Sequence, residues 1–137
     1  MKIKVFINGV FDLIHPGHLK LLEFSKKLGD ELIVGINSDT SVKKIKGNSR
    51  PIISDIYRKK MLESIKFVDS VIIFNETNPK KIIKKIKPDI IVKGDHYSIR
   101  EVRKLDEIDQ KILIKLVKID QKFSTTKIIQ KIKNLND

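Results

Sequence analysis

The sequence predicts an α/β fold: a five-stranded parallel sheet, doubly wound, with helices on both faces. Three observations predict it. Short apolar runs alternate with amphipathic stretches in the order β-α-β-α-β-α-β-α-β-α. The 137 residues suffice for one domain with a core and are too few for two ordinary ones. No internal repeat and no linker-like segment interrupts the alternation.

Each element has its own signal. "KIKVFING" (2–9) alternates, then turns apolar, as a buried strand ending in glycine does. "HLKLLEFSKKL" (18–28) carries Leu19, Leu21, Leu22, Phe24 and Leu28, an amphipathic helix stopped by Gly29. "ELIVGIN" (31–37) is a second buried strand. "SDTSVKKIKGNSRPI" (38–52) is polar, carries Gly47 and Pro51, and reads as mostly loop with at best a helical turn at its start. "SDIYRKKMLESIKF" (54–67) is a helix capped by Ser54 or Asp55. "DSVIIF" (69–74) is the third strand, and "NPKKIIKKIK" (78–87) a short helix with Pro79 in its first turn. "PDIIVKG" (88–94) is the fourth strand, and the charged segment 98–109 is helical. "KILIKLVKI" (111–119) is the fifth strand, followed by a helix, "STTKIIQKIK" (124–133), capped by Ser124 or Thr125. This is a Rossmann-like plan, which binds ligands beyond the C-terminal strand ends, where strand order reverses.

Composition narrows the chemistry. The chain has no cysteine, which excludes disulfides, thiolate zinc sites and thiol nucleophiles and agrees with a reducing compartment. No apolar run is long enough to span a bilayer, and the N-terminus enters a strand pattern without a signal-peptide plan, so the expectation is a cytoplasmic protein with no membrane partner. The net charge of +12 attracts polyanions. Nucleic acid is the less favoured partner: aromatics are 6% of residues, tryptophan is absent, and the lysines fall at the polar positions of amphipathic helices.

The first strand-to-helix loop, "NGVFDLIHPGH" (8–18), holds two of the three histidines. Gly9 follows the strand, where close backbone approach is useful. Gly17 opens the helix, whose N–H groups and dipole favour an anion. His15 and His18 flank it and can meet the same phosphate, donating N–H bonds to phosphoryl oxygens or, as cations, stabilising developing charge. A metal site is the weaker reading, because no third histidine, cysteine or acidic cluster stands nearby in the sequence. Ser124, Thr125 and Thr126 supply hydroxyls and free N–H groups at a helix start, where ordinary capping needs one of them.

His15-Pro16-Gly17-His18, preceded by Gly9, Phe11 and Asp12, resembles the HxGH signature of nucleotidyltransferases of the cytidylyltransferase-like branch. The likeness extends over essentially the whole chain: "GINSDTSVKKIKGNSRPI" is similar to the equivalent loop of heptose-1-phosphate adenylyltransferases, and "KPDIIVKGDHY" and "STTKII" fit the same branch. The resemblance implies transfer of a nucleotidyl group from an NTP to a phosphorylated sugar or polyol, with release of pyrophosphate and no covalent enzyme intermediate. It implies catalytic roles for His15, His18 and Lys46. Nucleotide contacts would come from Asn8, Gly9, Val10, Phe11, Gly17, Arg58, Asp95, His96, Ser124, Thr125 and Thr126. Acceptor contacts would come from Asp12, Asn37, Lys44 and Lys80, with Lys43 competing with Lys44; Asp12, just before the turn, is better suited to fixing the loop than to chemistry, with a nucleotide contact as the alternative. Mg²⁺ is expected with the NTP, and a homodimer is usual in the family.

Two departures bear on the substrate. Glycerol-3-phosphate cytidylyltransferases carry an arginine in "RTEGISTT" where this chain has "KIDQKFSTT", and the heptose branch lacks that arginine too. The heptose branch usually reads "VKGGDY" where this chain has "VKGDHY", which places Asp95 and His96 at the base end and leaves ATP and CTP both open. AMP transfer from ATP to a sugar 1-phosphate such as heptose 1-phosphate is the leading expectation. A CTP-dependent glycerol-3-phosphate or other polyol-phosphate cytidylyltransferase, an archaeal-type FAD synthetase and a basic nucleic-acid-binding module are the alternatives. Heptose enzymes are often fused to a sugar kinase; a transferase standing alone implies a separate kinase to make the sugar 1-phosphate.

Overall fold

The computed structural model describes residues 1–119 and 121–136. Five strands run parallel: β1 (Lys4–Gly9), β2 (Glu31–Asn37), β3 (Ser70–Phe74), β4 (Ile90–Gly94) and β5 (Leu113–Val117). Six helices connect and follow them: α1 (Pro16–Lys27), α2 (Asp39–Lys46), α3 (Asp55–Glu63), α4 (Lys80–Ile86), α5 (Ile99–Leu105) and α6 (Thr125–Lys133). The sheet order is β3-β2-β1-β4-β5, so the winding reverses between β1 and β4.

The strand alternation sorts side chains onto two cores. Val5, Ile7, Leu32, Val34, Ile90 and Val92 pack with Leu22 of α1 and Leu62 of α3 on one face. Phe6, Ile33, Ile91 and Ile114 pack with Ile82 and Ile83 of α4 and Val102 of α5 on the other. Neighbours in one strand thus point to opposite faces, and both faces are covered, which is why these strands read as continuous apolar runs.

β1 and β2 stay in register over the whole of β1, from Lys4↔Glu31 to Gly9↔Ile36. β1 and β4 pair only at Val5↔Ile90 and Phe6↔Ile91. Beyond Phe6 the two strands part, and a cleft opens at the switch point. Among the described residues no helix is long and apolar enough to cross a membrane.

The largest departure from the sequence reading is residues 39–46. They form a full helix, not a loop with one turn. Ser38 caps it by accepting from the Ser41 amide (3.2 Å), and Gly47, at φ +100°, ends it. Its buried face is just Ser41 and Val42, too narrow to show as periodicity.

Candidate active site

The first loop builds the centre of the site. His15 is the N-cap of α1, and its Nδ1 accepts from the Gly17 amide (3.1 Å). His18, three residues on, accepts through Nδ1 from the His15 amide (3.2 Å). This is a capping box made from two imidazoles. The rings stack, with centroids 3.7 Å apart and planes 24° from parallel.

The hydrogen bonds fix the tautomers. An Nδ1 that accepts carries no proton, so in each neutral ring the proton sits on Nε2. No protein group among the described residues takes either Nε2–H, and both rings line one cavity. Burial holds His18 far below the ordinary imidazole range, at about 4; His15 beside it pushes the same way and Asp12 opposes. Burial also lowers His15. In the free protein the pair is therefore neutral near pH 7 and presents two N–H donors. The cationic form envisaged from sequence requires a bound anion to raise these values.

Both glycines of the loop sit where a side chain would crowd a ring. A Cβ on Gly17 would lie 2.9 Å from His15 Cε1, and one on Gly9 would lie 3.0 Å from the Phe11 ring. Phe11 sits at φ +53° and Leu13 at φ +53°, a turn that carries the Phe11 ring over Gly9 and to 5.0 Å from the His18 ring. Such left-handed residues cost roughly 1–2 kcal/mol each and are held here by their surroundings.

Several predicted contacts are engaged elsewhere. Asp12 is buried: Oδ2 accepts from Arg50 Nε (3.1 Å) and the Ile52 amide (2.7 Å), and Oδ1 from the Ile53 amide (3.0 Å). It anchors segment 50–53 rather than facing an acceptor. Arg58 is 1% exposed. It donates to the carbonyls of Ile53, Val10 and Asn37 and to Asp39 Oδ1, so its guanidinium ties α3 to the loops and has no face toward a phosphate. Asn37 is buried, and its amide bonds Ser41 Oγ (2.9 Å). Lys80 pairs with Glu107 (3.5 Å), away from the histidines. Lys44 is exposed and, like Asp95, does not line the cavity; Asp95 instead accepts from the Ile119 amide (3.4 Å). Gly9, Val10 and Phe11 shape the loop from behind.

The cavity, about 430 Å³, lies over the C-terminal ends of β1 and β4. It gathers Asn8, His15, Gly17, His18, Lys46, His96, Ser124, Thr125 and Thr126, all predicted. Ser124 Oγ caps α6 by accepting from the Lys127 amide (3.0 Å), and the Thr125 hydroxyl donates to the Asp12 carbonyl, docking α6 on the first loop. Thr126 is left exposed at the rim.

A sequence profile of the cytidylyltransferase-like family matches residues 6–131. The chain belongs to the cytidylyltransferase-like family. It is 50% identical over 130 residues to "Bifunctional protein HldE" of Campylobacter jejuni subsp. doylei, covering 95% of this chain and 28% of that one. It is 44% identical to the protein of the same name from Helicobacter pylori strain HPAG1, covering 97% and 28%. The chain thus spans a little over a quarter of these relatives' length. Among solved structures, the lipopolysaccharide core biosynthesis protein from Thermoplasma volcanium superposes with a TM-score of 0.72 at 34% identity, covering 88% of this chain and 98% of that one.

In this cytidylyltransferase-like domain the cavity also contains residues that sequence reading missed. Arg50, 12% exposed in its side chain and held by Asp12, enters the wall beside Lys46. Lys20, Lys118, Ile119 and Phe123 line it as well, and Phe123 lies parallel to His15 at 6.4 Å. Arg50 carried a signal, a cation before Pro51 in the post-strand loop; the others depend on tertiary placement. Among the described residues no group of three His, Cys, Asp or Glu could hold a metal ion.

Proposed function

We propose that the domain transfers a nucleotidyl group from an Mg²⁺-bound NTP to the phosphate of a sugar 1-phosphate. ATP as donor and heptose 1-phosphate as acceptor are the pair its motifs resemble most. The observation that carries the reading is the neutral, stacked histidine pair with two Nε2–H donors on a cavity also reached by Lys46 and Arg50. That set suits a triphosphate: fixed donors for the phosphoryl oxygens and cations for the charge.

An acceptor phosphate oxygen attacks the α-phosphorus, a new P–O bond forms, and the bond to the β-phosphate oxygen breaks with pyrophosphate leaving. The protein aligns the phosphates and neutralises charge and forms no bond to them. Mg²⁺ would enter with the NTP and supply charge neutralisation at the phosphates; Asp12, the acidic residue of the first loop, has both oxygens engaged by Arg50 and backbone amides and would not hold it. The cavity volume suits a nucleotide. Similarity to a chain named for lipopolysaccharide core biosynthesis supports a saccharide acceptor. His96, at the Gly94 end of the cavity, is the observation that keeps CTP in view.

The test is pyrophosphate release with each NTP against a panel of sugar 1-phosphates and polyol phosphates. Release with ATP and a sugar 1-phosphate is expected. Release with CTP and glycerol 3-phosphate alone would replace the acceptor assignment, and no release with any pair would remove the enzymatic reading.

A further inference from the structure

Arg50 meets Asp12 through a single N–H. Its Nε donates to Asp12 Oδ2 at 3.1 Å, and the Asp12 side chain is fully buried. A guanidinium whose whole task is to neutralise a carboxylate pairs side-on, two N–H groups to two oxygens. Here the Ile53 amide takes Oδ1 (3.0 Å), and the Ile52 amide shares Oδ2 (2.7 Å). Arg50 therefore spends one of its five N–H donors on Asp12. The donors on its terminal nitrogens, Nη1 and Nη2, have no protein partner among the described residues. Those nitrogens are not sealed in the protein either, since no buried polar side-chain atom among the described residues lacks a partner. They open on the cavity of the histidine pair, which Arg50 lines.

The sheet order places this fork. β2, β1, β4 and β5 lie side by side, and the segments after them reach the cavity. Lys46 and Arg50 arrive from the β2 side. α2 delivers Lys46, and a turn closed by the Arg50 amide on the Gly47 carbonyl (3.3 Å) brings Arg50 back beside it. The histidine turn follows β1, in the middle. Gly94, His96, Val117 and Ile119 form the β4 and β5 side. That side presents a ring and aliphatic groups, which suit a base, whereas the β2 side presents two cations, which suit phosphate. An NTP laid across the cavity in that sense has its base by β4 and β5. Its α-phosphate lies at the histidines and its β- and γ-phosphates at Lys46 and Arg50.

We propose that Arg50 is a catalytic residue that holds the departing pyrophosphate through its two terminal nitrogens, and that Asp12 is a positioning residue acting through Arg50. The inference rests on the nucleotidyl-transfer reading. As the acceptor oxygen bonds the α-phosphorus, the electron pair of the breaking bond leaves with the bridging oxygen, and negative charge collects on pyrophosphate. A planar fork already fixed at Nε meets two oxygens of one phosphoryl group with little left to order. The Asp12 carbonyl also accepts from the Thr125 hydroxyl, so one residue sets both Arg50 and the start of α6.

Pyrophosphate binding tests this without turnover. In titration calorimetry with sodium pyrophosphate, Arg50→Ala should bind at least about tenfold more weakly than the native chain, and Arg50→Lys should recover only a minor part of the loss, because a point charge does not replace the fork. Asp12→Asn should weaken binding too, yet add less than about twofold once Arg50 is alanine. Equal affinity of the native chain and Arg50→Ala would overturn the role of Arg50, and losses that multiply would overturn that of Asp12. If Asp12→Asn does not fold, the side-chain ¹⁵N signals of Arg50 decide the matter. Pyrophosphate should shift the Nη signals and leave Nε in place, and a displaced Nε would mean that the ligand takes Arg50 from Asp12, against the positioning role. Where turnover is measured, Arg50→Ala should lower kcat about 10²–10³-fold while the acceptor KM moves less than about twofold. A raised acceptor KM at unchanged kcat would overturn the assignment to pyrophosphate. The two readings fail separately: no turnover by the native chain with any pair removes nucleotidyl transfer, whereas native turnover with unchanged pyrophosphate binding by Arg50→Ala removes this inference alone.

Discussion

His15 and His18 are 3.7 Å apart and cannot both carry charge in the free protein. Their neutrality comes from burial and from each other, and their donor geometry from two backbone amides. Two predictions belong at this scale. His18 should titrate near pH 4 by NMR in the free protein, and pyrophosphate should move the midpoint upward, because a bound anion favours the cation. A midpoint unchanged by pyrophosphate would mean the pair does not meet phosphate. The same shift links to stability. The folded value lies below the ordinary imidazole value of 6.5, so as pH falls the unfolded chain takes up the proton first. Stability from this site is complete above about pH 6.5 and declines as pH falls toward about 4, and His18→Asn should flatten that part of a melting-temperature profile.

The histidine pair and Gly17 were legible because one turn holds them, and Lys46 and Thr126 because they match family positions in loops that follow parallel strands. Asp12 fixes the loop, as its position before the turn suggested, but its acceptor contact and the phosphate contact of Arg58 were misplaced for the opposite reason. A charged residue in a functional loop looks the same in sequence whether it faces a ligand or a buried set of amides and carbonyls. The Lys93–Asn8 hydrogen bond was invisible because it depends on β1 and β4 lying side by side, with the two residues 85 apart in the chain.

At the scale of elements, α2 and α3 brace one another. The Asp39 amide donates to Asp55 Oδ2 (2.9 Å), and the Asp55 amide donates to Asp39 Oδ1 (2.8 Å), so each helix caps the other. Arg58 then closes the arrangement on Asp39 and on the carbonyls of β1's and β2's loops. Arg58→Met should destabilise the fold by about 3–5 kcal/mol in urea unfolding, because Asp39 and three carbonyls lose their donor. A loss within about 0.5 kcal/mol would contradict the bracing role. Ser38→Ala should cost about 1 kcal/mol and loosen the helix that delivers Lys46, seen as a raised NTP KM. The cap at Ser38 is what the polar sequence of this segment concealed: helix ends carried the stability that an apolar face carries elsewhere.

For the whole molecule, the alternation of elements was readable because each buried strand and each helix follows its own period. The strand order was not, since the same alternation permits other windings; what decides it is which strands pair, β1 with both β2 and β4. That order puts the histidine turn and α6 at the C-terminal ends of the strands, in a chain of net charge +12. Raising salt should weaken NTP binding through that field, with the steepest loss between low and physiological ionic strength, as titration calorimetry would show.

The most direct measurement of the central claim is pyrophosphate release from the best NTP and acceptor pair, comparing the native chain with His18→Ala. Removing one positioned donor should lower kcat about 10²–10³-fold while circular dichroism at pH 7 shows the fold intact and the melting temperature falls only by the loss of one helix cap. Release by His18→Ala at near-native rate would contradict the assignment of the histidine pair to the reacting phosphates.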